Sequence, residues 1–204
     1  MKEVKVLGIT GGVGAGKSTV LRYLEETYQA RVLEADRIAH LLMEPGGDCY
    51  GRVITCFGNQ ILGADKSIDR GKLGKIAFSD AEKLEQLNRI VHPAVKSYIK
   101  AQVCEERKAH LTPFVAVEAA LLLEDGYDEI CDEIWYLYTS EPVRIRRLML
   151  SRGYTEKRAR QIMEHQLSDE IFRKRCQYVV DNSADCVENT YEQIDRGLRE
   201  HEFL

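Results

Sequence analysis

The chain reads as a three-layer α/β fold with a doubly wound parallel sheet of about five strands. Three observations predict it. Apolar, β-favouring runs of four to seven residues recur at Val4 to Thr10, Arg31 to Ala35, Phe114 to Glu118, Glu133 to Thr139 and Tyr178 to Asp181. Segments with apolar residues at helical spacing separate them, and this alternation puts helices on both faces of a parallel sheet. A glycine-rich turn, Gly11-Gly12-Val13-Gly14-Ala15-Gly16-Lys17-Ser18 followed by Thr19, joins the first strand to the first helix.

That turn fits G-x-x-x-x-G-K-[ST], a phosphate-binding loop. Glycines let successive N–H groups point into one concave nest, and the helix N-terminus adds unsatisfied N–H groups and a positive dipole end. Gly12, Val13, Gly14, Ala15, Gly16, Lys17, Ser18 and Thr19 are therefore expected to hold a nucleoside triphosphate. Lys17 is placed to bridge the β- and γ-phosphates, Ser18 to ligate Mg²⁺, and Thr19 to support it.

Composition bounds the rest. The chain has 204 residues, 44% apolar and 30% charged, enough for one sizeable core spanning 1–204. No apolar run approaches the ~20 residues that span a membrane. The first strand starts almost at once, so no signal peptide is expected. A net charge of −4 and a pI near 5.8 argue against nonspecific nucleic-acid binding. The six cysteines form no C-x-x-C pair, so they are read as reduced thiols of a cytoplasmic protein.

After the second strand a helix is expected from Asp36, with Asp36 as its N-cap and Ile38, Leu41 and Leu42 on one side. Residues 41–113 read as a helical insertion. Its pieces are Cys49 to Phe57, a turn-rich link from Asn59 to Asp69, Arg70 to Phe78, and a long helix opened by a capping box at Ser79 and Glu82. That long helix is expected to break near His92-Pro93, because proline disfavours helix at the residue before it. Helices are also expected over 141–151, 155–167, 169–176 and 183–200.

Two acids end strands. Ligands of doubly wound sheets sit beyond the carboxyl ends of the strands, so Asp36 is expected to face the phosphate loop's crevice. A carboxylate there can accept a proton from an attacking hydroxyl; from position alone that reading and the helix-cap reading stand level. Glu118 follows a buried apolar strand, a loose pattern for support of Mg²⁺.

From Arg144 to Arg175 there are ten basic and four acidic residues, +6, which leaves −10 for the rest of the chain. Arginines that close over a transferring phosphoryl group stabilise its charge and exclude water. Arg147 and Arg152 are the best candidates within a lid over 141–168. For most of the ten, a solvated helix face is the better reading.

GGVGAGKST, EADRIAH (34–40), IVHP (90–93), EAALLLE (118–124), RRLMLSRGYT (146–155) and VVDN (179–182) together resemble the bacterial dephospho-CoA kinase family, with its P-loop kinase fold. The order and spacing cover nearly the whole chain. The resemblance implies transfer of the γ-phosphate of ATP, with Mg²⁺, to the ribose 3′-hydroxyl of dephospho-CoA, the last step of coenzyme A biosynthesis. It implies that Asp36 acts on that hydroxyl, that 41–113 is the substrate-binding domain, that Leu121 contacts substrate, and that Asn182 lies at the adenine pocket; for His92, a substrate contact and a buried histidine fixing the helix break stand level. It implies no nucleic acid, membrane or obligate protein partner. The chain departs from the family's pattern at Glu34, at Ala120, and at Ser151-Arg152, where one lid arginine is shifted by a residue. The competing expectations are another nucleoside or nucleotide kinase, and a P-loop switch or ATPase module. The latter needs a water-positioning element that the sequence does not display.

Overall fold

The computed structural model describes residues 3–119 and 121–204; the departure at Ala120 lies outside the described residues. It forms two compact units. One runs through Leu33 and resumes at Val103; the other is Glu34–Gln102, against an expected insertion of 41–113.

In the first unit, β1 (Lys5–Thr10) enters the core at once and is buried from Val6 onward. It is followed by α1 (Lys17–Tyr28) and β2 (Arg31–Glu34). Later come β3 (Phe114–Glu118), β4 (Glu133–Tyr138) and β5 (Tyr178–Asp181). The sheet order is β2-β3-β1-β4-β5, and the registered pairs β1–β3, β1–β4 and β4–β5 are parallel. β1, β3 and β4 are buried on both faces, which is why they read as unbroken apolar runs rather than alternating ones. The order reverses beside β1, so the turn leaving β1 sits at the switch point where such sheets bind ligands. Val20, Leu21 and Leu24 of α1 and Ile194 and Leu198 of α9 (Glu188–Glu200) pack with Trp135 in one core cluster.

The helices after β4 are α6 (Glu141–Arg152), α7 (Glu156–Glu164) and α8 (Asp169–Arg175). Thr155 and Ser168 cap α7 and α8 with their side chains. α9 starts five residues later than 183. Ser183 is held outside a helix because its N–H donates to Asp181 at 2.8 Å while its hydroxyl accepts from the Ser140 N–H at 2.9 Å.

The second unit holds α2 (Ala35–Leu42), α3 (Tyr50–Phe57), α4 (Arg70–Phe78) and most of α5 (Ala81–Ala109). Two local expectations are corrected here. The cap of α5 is Asp80, whose Oδ1 accepts from the Glu82 N–H at 2.9 Å, while Ser79 bonds back to Ile76 at the end of α4. And α5 does not break at His92-Pro93: it runs 29 residues with Pro93 inside it. Proline removes one N–H, whereas Val91, Val95, Ile99 and Val103 bury one continuous stripe on either side of it, and that burial outweighs the lost bond.

Candidate active site

The turn after β1 folds as a preformed nest. Gly14 and Gly16 have φ of 79° and 95°, in the left-handed region that glycine tolerates. Gly16 must also lack a side chain, because a Cβ there would strike the Asn182 amide.

The loop is gripped from its carbonyl side. Gly11 O accepts from Lys17 Nζ at 2.8 Å, and Gly12 O from the Ala15 N–H at 3.1 Å. Val13 O accepts from Arg144 Nε at 2.9 Å, and the Val13 N–H donates to Gln166 Oε1 at 3.1 Å. Arg144 bonds the same Gln166 oxygen, so the two side chains clamp both faces of one residue. Ala15 O is reached by Asn182 Nδ2 at 2.7 Å, Thr139 Oγ1 at 3.0 Å and Arg147 Nη1 at 3.4 Å. The N–H groups of Gly14, Gly16, Lys17 and Ser18 have no acceptor within the chain among the described residues. These are the donors a phosphate-binding nest requires.

Lys17 also lies 3.4 Å from Glu118, at the end of β3, and both side chains are largely shielded from water. Ser18 is exposed at the first turn of α1, with Thr19 half-buried beside it. Among the described residues, no group of three or more His, Cys, Asp or Glu could hold a metal ion. The donors present suit Mg²⁺ arriving with its phosphates, since Mg²⁺ takes few protein oxygens and keeps substrate and water ligands.

Arg147 donates to Asn182 O at 3.0 Å as well as toward Ala15 O, so its planar fork spans the loop and the turn after β5. Burial, then the neighbouring Arg146, lower its pKa; burial does the same for Arg144. Arg152 is exposed in the last turn of α6. Asn182 is buried, with both ends of its amide engaged: Nδ2 on Ala15 O, Oδ1 on Thr190 Oγ1 at 2.8 Å. Leu121 is exposed, ahead of the buried Leu122 and Leu123.

The first unit thus brings together the loop, Lys17, Glu118, Arg147 and Asn182. Asp36 and His92 belong to the second unit. Asp36 is not the N-cap of α2. That position falls on Glu34, and Asp36 lies exposed in the first turn, where its charge suits the helix dipole. His92 is half-buried inside α5. Sequence reasoning did not single out Arg144, Gln166, Thr139 or Thr190. For Arg144 a signal existed: Arg144 and Arg147 are three apart and share a helix face.

The family model for dephospho-CoA kinase matches residues 5–188. A dephospho-CoA kinase of Carboxydothermus hydrogenoformans is 39% identical over 194 residues, 95% of this chain and 93% of that one. The crystal structure of TT1252 from Thermus thermophilus superposes with a TM-score of 0.80 at 27% identity, covering 98% of each chain. A dephospho-CoA kinase from Campylobacter jejuni shares the fold, with a TM-score of 0.72 at 21% identity over 97% of this chain and 98% of that one.

Proposed function

The chain belongs to the dephospho-CoA kinase family, and on that premise we propose that it transfers the γ-phosphoryl group of MgATP to the ribose 3′-hydroxyl of dephospho-CoA, giving CoA and ADP. The observation that carries this reading is the family match over residues 5–188, which takes in the phosphate loop, Asp36, Glu118 and the lid arginines.

In this reading the loop's inward N–H groups bind the triphosphate. Lys17, now shared by Gly11 O and Glu118, turns to the β- and γ-phosphates. Ser18 would hold Mg²⁺, with Glu118 acting on it through water; the ion neutralises charge that develops on the phosphoryl oxygens. Asp36 takes the proton as the 3′-oxygen bonds to the γ-phosphorus and the bond to the β–γ bridging oxygen breaks. Arg147 and Arg152 stabilise the charge of that transition state. The helical unit 34–102, with His92, and Leu121 from the first unit supply substrate contacts, and 141–168 serves as the lid. No helix among the described residues is long and apolar enough to cross a membrane.

The test is direct. Purified protein with MgATP and dephospho-CoA should form CoA and ADP in equal amounts. Turnover of a nucleoside or nucleoside monophosphate in preference to dephospho-CoA would overturn the substrate. ATP hydrolysis without acceptor phosphorylation would overturn the reaction class.

A further inference from the structure

Three of the four buried polar residues described, Thr139, Asn182 and Thr190, gather behind one peptide of the phosphate loop. A buried polar group must be hydrogen-bonded, so each bond here is a constraint rather than an accident of the surface. The peptide is Ala15–Gly16. Its carbonyl is an acceptor only, so Asn182 must present its NH₂ to it, and does so at 2.7 Å. That leaves Asn182 Oδ1 facing Thr190, whose hydroxyl donates to it at 2.8 Å. Thr190 is fully buried in α9, so it cannot exchange this acceptor for water. Its proton therefore selects one of the two amide orientations of Asn182. Thr139 Oγ1, 3.0 Å from Ala15 O, has the Tyr138 carbonyl at 2.8 Å as a rival acceptor for its single proton. Asn182 has no such rival among the described contacts of its NH₂.

A trans peptide points its C=O and N–H in opposite directions. Donors drawn to the Ala15 carbonyl from outside the loop hold the Gly16 N–H toward the inside. They also polarise it, since hydrogen bonds in series strengthen one another at low dielectric. We propose that Asn182, oriented by Thr190, is a positioning residue for nucleotide binding, aiming and polarising the Gly16 N–H at the triphosphate from behind the loop. Asn182 then acts on the phosphates of the nucleotide and does not read its base. The inference rests on the nucleotide-binding part of the function proposed above and is independent of the acceptor.

The test titrates ATP and GTP into the parent protein and into N182A, T190V and T190S, with a thermal melt of each. Losing one hydrogen bond of ordinary net strength corresponds to about a fivefold change in affinity. N182A and T190V should each raise the Kd for ATP by about fivefold or more, and for GTP by the same factor. T190S keeps the hydroxyl and should bind like the parent. Unchanged Kd in a folded N182A or T190V overturns the proposal, whatever happens to Tm, because a merely structural role moves only Tm. Weakening confined to ATP overturns it in favour of a base contact. Equal weakening in T190S overturns the orienting role of Thr190. Should T190V fail to fold, N182A with both nucleotides decides. None of these titrations contains dephospho-CoA, so a failed kinase assay with these results intact would overturn only the acceptor assignment.

Discussion

The ammonium of Lys17 lies 3.4 Å from the carboxylate of Glu118. The two residues are 101 positions apart in sequence, and adjacent parallel strands β1 and β3 deliver them to the same end of the sheet. With Gly11 O at 2.8 Å, Glu118 holds the lysine folded over its own loop. A triphosphate brings more negative charge than either partner, so under the proposed function it would draw the lysine away from them.

Lys17→Ala should therefore lower kcat/KM for ATP by at least ~10²-fold, the usual worth of a charge-stabilising donor in a reaction site. Its Tm should change little, because a half-buried loop cation contributes little packing and Glu118 can recover water. Near-parent activity in the alanine variant would remove Lys17 from the site.

Asp36→Asn separates chemistry from folding. Asp36 lies in the first turn of α2, exposed, and is not its cap, so the substitution removes only a favourable dipole contact of about 0.3–1 kcal/mol. Tm and ATP affinity should stay near the parent values. Turnover should fall by ~10²–10⁴-fold if the carboxylate accepts the hydroxyl proton. A loss under about tenfold is too small for that role.

Arg147→Lys keeps the charge and loses the fork. Lysine cannot donate in a plane to both Ala15 O and Asn182 O, so the variant should lower kcat/KM by ~10-fold or more while Tm stays within a few degrees. Steady-state kinetics of the lysine and alanine variants check this. An alanine variant as active as the parent would mean that the contact is incidental.

A stability prediction tests the packing behind the sheet. Gly197 lies in α9, and a Cβ there would meet the rings of Trp135 and Tyr178 at 2.8 Å. Alanine gains about 1 kcal/mol of helix propensity over glycine. Those rings also pack against each other and against His201, so they cannot retreat, and overpacking of about 1–3 kcal/mol should win. Gly197→Ala should lower Tm in a thermal melt and leave ATP affinity unchanged. A Tm equal to or above the parent's would show that the aromatic cluster yields.

Some of this was legible because local chemistry leaves one solution. A glycine turn between a buried strand and a helix can do little but form a nest, and β1, β3 and β4 read as unbroken apolar runs because both their faces are covered. Arg70 to Phe78 was legible as a helix, whereas its cap was not singled out: Asp69, read as the end of a turn-rich link, holds the Gly71 and Lys72 N–H groups. Where two local rules competed, context chose. Proline at 93 opposed a helix that a valine and isoleucine stripe supported, and burial of the stripe prevailed. Asp36 satisfied the composition of a cap, but the cap falls two residues earlier, on Glu34.

By itself the sequence determined the loop, the order of strands and helices, and the residue types that phosphoryl transfer requires, because those depend on neighbours within a few positions. Only the tertiary structure decided how the loop is held. Val13 meets Arg144 and Gln166 across more than 130 and 150 residues, and Ala15 meets Asn182 across 167. Such contacts leave no periodicity, because one side chain reaching one carbonyl needs no repeat. The resemblance sets Asn182 at an adenine pocket, and the fold adds a contact that no sequence pattern marks: its buried amide donates to the Ala15 carbonyl of the loop.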